Sequence, residues 1–361
     1  MTAVPSYLSL ESPQVEITVT DDDLRRMARQ ASTAVVLRTG LVLIVLVAIC
    51  VAATALALNL SIRVAFGIVP ASAIVLFVLL KLRCDRSLYW MMNSGRAAAS
   101  YRLAVSYGPD HLDYADVDRS VARLLYSTVT AVSVRDDVVV IYRGRTAGLI
   151  PRALIDDTTL ARLRDRGRSA QVPGPHPQRL SRPEITVPNP DVEAVYPAAD
   201  LPSLSAAASR SLAWRVTSGP IAVVVVSSVI GIVAALVVEP LLVILVAIFL
   251  PLATAALVLL WFAVKSSWAQ NILILLTGGA PGPFYRYTCV TGPDHLDLGI
   301  DDRHVSRLYF GGSDAVKLRV FDRVVLVYRG GLVLFAVPRE LFDDGALSAM
   351  EAAGVKVTRA R

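Results

Sequence analysis

The sequence predicts an α+β membrane protein with two transmembrane helix hairpins, four spans in all, each followed by a small cytoplasmic β domain with a C-terminal helix. Hydrophobic residues make up 54% of the 361 positions and charged residues 18%, and the apolar residues are gathered in long runs. The hexapeptide Gly-Pro-Asp-His-Leu-Asp at 108–113 returns unchanged at 292–297, each time in a strand-rich segment that follows two such runs. These observations indicate a tandem duplication of one membrane-anchored unit.

The repeat extends beyond the hexapeptide. The segment 119–124 shares two arginines, a valine and a leucine with 303–308 at constant spacing, and 142–144 matches 328–330. Glu16-Ile17-Thr18-Val19 also returns at 184–187. An ordered set of matches of this kind is typical of an internal repeat rather than of chance.

The duplication and the apolar runs together divide the chain into eight segments. The predicted boundaries are 1–40 for an N-terminal tail, strand and amphipathic helix, 41–82 for the first transmembrane hairpin, 83–100 for a juxtamembrane bridge, 101–168 for the first β domain, 169–215 for a linker and the start of the second unit, 216–265 for the second transmembrane hairpin, 266–282 for a second bridge, and 283–361 for the second β domain.

At the N-terminus, residues 1–13 read as a loose tail without the pattern of a secretory signal. Residues 15–19 alternate like a short strand. Thr20 followed by Asp21, Asp22 and Asp23 then places a capping hydroxyl and three carboxylates at the positive end of a helix dipole. We prefer this capping interpretation of the aspartates to a metal site.

The spans are predicted at 41–60, 64–80, 220–238 and 241–264. The first run contains twenty uncharged residues, and at 1.5 Å per residue it covers the roughly 30 Å hydrocarbon core of a bilayer. Basic residues flank the outer ends of both hairpins, and the turns within the hairpins are small. By the positive-inside bias, we expect a multi-pass membrane protein with both termini cytoplasmic.

The polar domains read as short strands separated by turn residues. In the first copy the predicted strands are 102–107, 112–114, 122–126, 131–134, 138–143 and 148–150, and Pro151 then opens a helix through Arg164. The second copy repeats this order between 285 and 337. A sheet this small has a marginal core, so we expect it to lean on its twin, on the bridging helix or on the membrane.

The repeated hexapeptide is the obvious candidate for chemistry because it carries two aspartates and a histidine. Proline and aspartate at a Gly-Pro-Asp-His sequence favour a tight turn, which is the interpretation we prefer for His111 and His295. A metal site would require both histidines to face each other with carboxylates completing the shell. Cys50, Cys84 and Cys289 fit no metal or disulfide spacing.

Screens for other chemistry are negative. The sequence contains no phosphate-binding glycine loop, nucleophile elbow, paired zinc-binding histidines or dinucleotide fingerprint. We therefore predict no catalytic residue, no cofactor, no bound metal and no nucleic-acid partner.

Arginines supply the candidate contact residues. Those predicted to contact a protein partner or lipid headgroups are Arg119, Arg123, Arg303 and Arg307 in the repeat and Arg164, Arg166 and Arg168 in the basic stretch before the linker. Basic residues close to an anionic leaflet gain about 1 kcal/mol each. A solvated helix end with a linker is an equally good interpretation of the basic stretch.

Several segments give the chain a resemblance to the YcxB-like family of bacterial membrane proteins. They are 16–19 with the following aspartates, 138–142 and 149–152 in the first copy, and 324–328 and 336–339 in the second. The resemblance implies two membrane helices followed by a cytoplasmic domain similar to a pleckstrin-homology (PH) barrel, and it brings no catalytic residues. The tandem arrangement departs from the single unit of that family and suggests that two units work as a pair.

The leading functional hypothesis is a non-enzymatic inner-membrane protein whose duplicated PH-like domains bind a protein partner, membrane lipids or a second copy of the chain. The first alternative is a small-solute or lipid transporter formed by oligomerised hairpins, although the spans lack mid-depth ionisable groups. A third hypothesis is a membrane enzyme that uses the histidine hexapeptides.

Overall fold

The computed structural model describes residues 6–37, 62–92, 100–143, 146–169, 185–214, 261–262, 265–310, 316–329 and 332–360. The described chain forms two similar halves, the first ending at Ser169 and the second starting at Ile185.

Each half contains a series of short strands, and the two series correspond to the two copies of the sequence repeat. The strands of the first half are β1 (Val15–Thr20), β2 (Ser100–Tyr107), β3 (His111–Asp116), β4 (Ser120–Leu125), β5 (Ala131–Val134), β6 (Val138–Arg143) and β7 (Thr146–Pro151). Those of the second half are β8 (Val192–Pro197), β9 (Phe284–Thr291), β10 (His295–Ile300), β11 (His304–Tyr309), β12 (Lys317–Val320), β13 (Val324–Arg329), β14 (Leu332–Pro338) and β15 (Lys356–Arg359).

Six α-helices accompany the strands within the described ranges. They are α1 (21–37), α2 (Ile62–Met92), α3 (Asp157–Ser169), α4 (201–214), α5 (265–276) and α6 (Asp344–Ala352). The start of α1 is capped as its sequence predicts. The Thr20 amide donates to Asp23 Oδ2 at 2.9 Å and the Asp23 amide donates to Thr20 Oγ1 at 3.3 Å, so the two residues satisfy each other's backbone donors.

The described strands form three sheets. One has eight strands in the order β1-β2-β3-β4-β11-β10-β9-β8, so its two central neighbours come from different halves. The other two are β5-β6-β7 in the first half and β14-β13-β12-β15 in the second. β6 and β13 are inner strands with continuous apolar runs, and Val138–Tyr142 and Val324–Val327 are buried accordingly.

Each half has its own hydrophobic core between its part of the large sheet and its small sheet. In the first half, Leu103 and Leu112 of the large sheet pack with Val140 of β6, Leu163 of α3 and Leu24 of α1. Equivalent residues build the core of the second half. A third apolar cluster lies on the opposite face of the large sheet and contains residues of both halves.

The predicted fold class of four transmembrane spans is wrong. Among the described residues, no helix is long and apolar enough to cross a membrane. The run 64–80 belongs to α2, which continues through Lys81, Arg83, Asp85 and Arg86 and packs Leu88 into the first core. The predicted runs 41–60 and 220–238, and 241–264 apart from residues 261–262, lie outside the described residues.

This finding also overturns the predictions that depended on the spans. They are the function as an integral inner-membrane protein, its transporter alternative, the membrane enzyme, and the multi-pass localisation with cytoplasmic termini. The tandem duplication itself does not depend on the spans, and the paired halves confirm it.

The repeat at 16–19 and 184–187 is misleading about structural equivalence. Val15 pairs with Val105 and Val192 pairs with Cys289 at the matching position, so β1 corresponds to β8 and not to residues 184–187. The counterpart of Ile185 is instead Leu8. The carbonyl of Leu8 accepts from the Asp118 amide at 3.1 Å, and that of Ile185 accepts from the Asp302 amide at 2.9 Å.

Candidate functional site

The two halves meet where β4 pairs with β11, and we call these two strands the seam. Val305 lies opposite Val121, with His304 opposite Ala122 and Ser306 opposite Ser120. The pairing is antiparallel, so each half offers its partner the same strand in opposite direction. Of the three supports predicted for each small β domain, its twin, the bridging helix or the membrane, this pairing supplies the twin.

Backbone hydrogen bonds across the seam are reciprocal. The Arg123 amide donates to the Arg303 carbonyl at 2.7 Å, and the Arg307 amide donates to the Arg119 carbonyl at 2.7 Å. Arg303 is the repeat counterpart of Arg119, and Arg307 is the counterpart of Arg123. The two bonds are therefore related by a local two-fold axis that passes beside Val121 and Val305.

The seam thus collects all four arginines of the repeat that the sequence analysis nominated as contact residues. They lie on β4 and β11 or directly before them, and their backbone partners are in the same chain. What the structure adds is that their backbone groups form the contact between the two halves.

The side chains of Arg123 and Arg307 are buried in ion pairs. Arg123 Nε and Nη2 donate to the two carboxylate oxygens of Asp113 at 2.7 Å each, and Arg307 Nε and Nη2 donate to those of Asp297 at 2.7 and 2.6 Å. The Arg123 side chain is 1% exposed and that of Asp297 is 0% exposed. Burial of this kind excludes both guanidinium groups from a contact on the protein surface.

Strand geometry explains these pairs. Asp113 lies directly opposite Arg123 in the β3–β4 hairpin, as Asp297 does opposite Arg307 in the β10–β11 hairpin. Directly opposed residues on one face of an antiparallel pair have neighbouring Cβ atoms. This pairing was not predicted, although the sequence carries its signal: an aspartate and an arginine lie ten residues apart in both copies, on either side of a turn.

Arg119 and Arg303 cover tyrosine rings. The guanidinium carbon of Arg119 lies 5.1 Å from the centre of the Tyr101 ring, and that of Arg303 lies 5.0 Å from the centre of the Tyr285 ring. Such stacking contributes about 0.5–1 kcal/mol when exposed and more when desolvated. Arg303 also donates to the carbonyl of Ala280 at 2.5 Å.

The hexapeptides form turns, as predicted. In each, the glycine amide donates to the carbonyl of the histidine at 2.9 Å. The imidazole folds back over the glycine, and a Cβ at Gly108 or Gly292 would overlap the His111 or His295 ring. A side chain at either glycine would therefore have to displace the histidine ring.

Each histidine lies between the two aspartates of its hexapeptide, and the second of these aspartates binds an arginine of the seam. His111 Nδ1 lies 2.8 Å from Asp110 Oδ1, and its Nε2 lies 3.6 Å from the Asp113 carboxylate. In the second half the corresponding distances of His295, to Asp294 and Asp297, are 2.7 and 3.8 Å. The hydrogen bond from His295 lowers the pKa of Asp294. The result is two polar ladders that run Asp-His-Asp-Arg, one in each half.

The N-terminal segment extends the second ladder. The Tyr7 hydroxyl donates to Asp297 Oδ2 at 2.5 Å and accepts from Arg307 Nη2 at 3.3 Å. Burial and the bond to Asp297 raise the pKa of Tyr7 to about 12, so the phenol stays protonated. The following residue, Leu8, is fully buried in the apolar cluster over the seam, together with Val121, Val305 and Ile185.

These ladders do not present the features of a metal centre. Within the described ranges, no group of three or more histidine, cysteine, aspartate or glutamate side chains is placed to hold a metal ion. The carboxylates of Asp113 and Asp297 are occupied by arginine. The arrangement is suited to hold two hairpins and two halves in one register.

The remaining arginine predictions concern the end of the first half. Arg164 is exposed on α3, whereas the side chains of Arg166 and Arg168 lie outside what the structure describes. Contact of these three residues with a partner or with lipid headgroups stays a prediction.

A second candidate surface lies on α2, and the sequence analysis did not anticipate it. Ile74, Val75, Val78, Leu79 and Leu82 are each 46–62% exposed and follow helical spacing, so they form one continuous line, which we call the apolar stripe. Farther along α2, Leu88 packs into the first core. The interpretation of 64–80 as a span did not predict that this part of the helix exposes the stripe.

Comparison of the chain with protein-family models, curated proteins and solved structures gives no match. The resemblance to the YcxB-like family accordingly stays a prediction.

Proposed function

We propose that this chain is a non-enzymatic protein-binding scaffold, in which the paired β halves hold α2 in place and the apolar stripe of α2 receives an apolar helix of a protein partner. The observation that carries the proposal is the stripe itself. Five large aliphatic side chains on one helix face are about half exposed or more.

The spacing of the stripe favours a helix as the bound element. Residues 74, 78 and 82 are four apart, and so are 75 and 79, which gives two adjoining rows along the helix. Such rows accept the side chains of a second helix between them. Contiguous exposed apolar surface of this kind marks an interaction site more often than an ordinary solvated face.

Burial of the stripe would supply substantial binding energy. Full burial of one aliphatic side chain contributes about 1.5–3 kcal/mol, and each of these five retains roughly half of that potential. Binding costs about 4–15 kcal/mol in lost rigid-body freedom. Five such residues are therefore sufficient only for a partner that adds polar contacts at the rim.

Charges beside the stripe indicate what those polar contacts are. Arg83 and Arg86 are exposed on the same helix immediately after the stripe. Lys81, by contrast, is engaged with Asp85 at 3.1 Å within α2. We infer that the partner helix carries acidic residues at the end that faces Arg83 and Arg86.

The scaffold fixes α2 before any partner binds. Lys81 Nζ donates to Ser32 Oγ of α1 at 3.4 Å, and the Tyr89 hydroxyl donates to Asp21 Oδ1 at 2.5 Å. Arg25 of α1 lies over the Tyr89 ring, 5.0 Å from its centre. A helix that is already held in place loses less conformational entropy on binding.

The test uses two synthetic helical peptides that share a leucine stripe and differ in flanking residues, glutamate in one and lysine in the other. We expect the full chain to bind the glutamate peptide about tenfold more tightly, as measured by fluorescence anisotropy. Replacing Leu79 and Leu82 by serine should abolish binding, whereas Val195→Ser, the same kind of change at an exposed position on β8, should not.

Equal affinity for the two peptides would contradict the acidic partner, and binding that survives the double serine variant would contradict the stripe as the site. Self-association of the chain without peptide, lost in the double variant, would assign the stripe to a second copy instead. Binding to anionic vesicles in place of either peptide would contradict a protein partner.

A further inference from the structure

We infer that the β4 edge of the first half is a self-complementary docking edge for another unit of the same fold, so that the two halves remain paired without a covalent connection between them. This inference concerns the seam and is independent of the proposed role of α2. It rests on the backbone geometry, the apolar cover and the ion pairs of the seam.

The backbone geometry supplies the first argument. The bonds from Arg123 to Arg303 and from Arg307 to Arg119 exchange the roles of the two halves, as in an interface between two copies of one protein. Without the second half, β4 would present an unpaired row of amide and carbonyl groups. Open strand edges of this kind pair readily with another strand.

The apolar cover supplies the second argument. Val121 and Val305 lie opposite each other at the centre of the seam and are 3% and 0% exposed. Leu8 from the first half and Ile185 from the second close over them. Each half therefore contributes a strand residue and a covering residue to one shared cluster, and separation would expose all four.

The ion pairs fix the register. Asp113 on β3 holds Arg123, and Asp297 on β10 holds Arg307. With both arginines held, their amides reach the carbonyls of the opposite half in one strand register only. Arg123 Nη1 also lies 3.9 Å from Asp302 Oδ1 across the seam. Tyr7 of the first half reaches Asp297 of the second. A shift of either strand by one residue would separate these charged groups.

The same geometry accommodates two first halves. In such a pair Val121 would lie opposite Val121, and Ser120 would lie opposite Ala122, since these are the residues that face Val305, Ser306 and His304 in the present seam. The replacements are no larger than the residues they replace. The occupant that we assign to the β4 edge is the chain's own second half.

The experiment starts from the full chain with residues 173–177, between the halves, replaced by a recognition site for a specific protease. After complete cleavage, we expect the two fragments to elute together with the mass of the intact chain at about 1 μM, as measured by light scattering after size exclusion. Fragments that separate under these conditions would overturn the inference without any further variant.

A variant locates the contact. Val305→Asp places a carboxylate in the apolar cluster opposite Val121 and should weaken the pairing of the cleaved halves at least tenfold. Val195→Asp, on the far edge of the same sheet, should leave them paired. Circular dichroism of the uncleaved variants checks that both fold. Cleaved halves that stay equally paired in folded Val305→Asp would show that the seam does not hold them together.

Discussion

The second half contains two ion pairs between a carboxylate and an arginine on neighbouring strands. One pair is buried and the other is exposed to solvent. Asp297 and Arg307 lie 2.6 Å apart beneath the N-terminal segment, whereas Glu193 and Arg286 lie 2.6 Å apart on the exposed face of β8 and β9. Asp297 lies directly opposite Arg307 and accepts two hydrogen bonds from it, whereas Glu193 is diagonal to Arg286 and accepts one. The two pairs also differ in solvent access. Hydrogen bonds to Asp297 raise the pKa of Arg307, so this guanidinium remains charged at all ordinary pH values.

Arg307→Met should destabilise the chain by about 3–5 kcal/mol, because it leaves the Asp297 carboxylate buried without its cation. Arg286 pairs with Glu193 at 2.6 Å and with Asp301 at 3.4 Å while its side chain stays 48% exposed, so Arg286→Met should cost no more than about 1 kcal/mol. Urea unfolding followed by circular dichroism measures both. Similar losses in the two variants would show that burial does not distinguish the pairs.

His304 makes the stability of the second half sensitive to acid. Burial and the nearby Arg143 guanidinium lower the pKa of His304 from 6.5 to about 4. Between these values the unfolded chain binds a proton that the folded chain does not bind, so stability contributed by neutral His304 is present above pH 6.5 and is lost as the pH falls toward 4.

Replacing His304 by glutamine should flatten this part of the stability profile. The measurement is the urea midpoint of wild type and variant at pH 7 and pH 5. The other titratable groups are the same in both proteins, so the difference between the two profiles reports on His304. A wild-type midpoint that falls no further than that of the variant would contradict the lowered pKa.

Among the elements, the short strands were the most predictable. The predicted strands 131–134 and 138–143 coincide with β5 and β6, because alternation and continuous apolar runs are local signals. Their assembly was less accessible. The partnership of β4 with β11 depends on residues more than 180 positions apart, and Val121 and Val305 look like any other strand valines.

The sequence analysis did not anticipate β15. This strand pairs in parallel with β12, placing Val357 beside Leu318, and Gly354 turns the chain back from α6 with a φ of 90°. The counterpart of β12 in the first half is β5. There α3 packs against β5, whereas in the described second half β15 pairs with β12. Two repeats with similar sequences thus cover the same strand with different elements.

Gly354→Ala should loosen β15, because an L side chain is strained at this φ by about 1–3 kcal/mol. We expect a lower urea midpoint and faster amide hydrogen exchange in Lys317–Val320, the strand that β15 covers. Gly148→Ala is a suitable control, since its new Cβ would lie 3.8 Å from the nearest atom and fit without strain. Unchanged exchange in β12 would indicate that β15 does not depend on the glycine.

At the level of the chain, the duplication was predictable and its consequence for the candidate site was not. Arg123 and Arg307 were predicted to contact a protein partner or lipid headgroups. In the structure they are repeated because both halves use them to build the seam. A residue that is present in both copies of a duplicated chain can form the contact between those copies.

The membrane prediction failed for a related reason. Hydropathy averages over a helix and does not distinguish its faces, so the uncharged run 64–80 gave no sign that α2 continues past Lys81 and buries Leu88. The charged residues after the run were interpreted as flanking anchors. They are part of the same helix, and the exposed stripe is the feature that remains to be explained by a partner.

The local two-fold axis of the seam has a consequence for how this protein can change over evolution. In a dimer of identical chains, every substitution appears on both sides of the axis and must be tolerated twice. Here the axis relates two independently encoded segments, so one side can acquire a residue that the other side does without. Position 304 is histidine where its counterpart, position 120, is serine, and the phenol of Tyr7 binds one ladder. Because one chain encodes both sides of the axis, the interface can differ in sequence between its sides while it keeps its geometry.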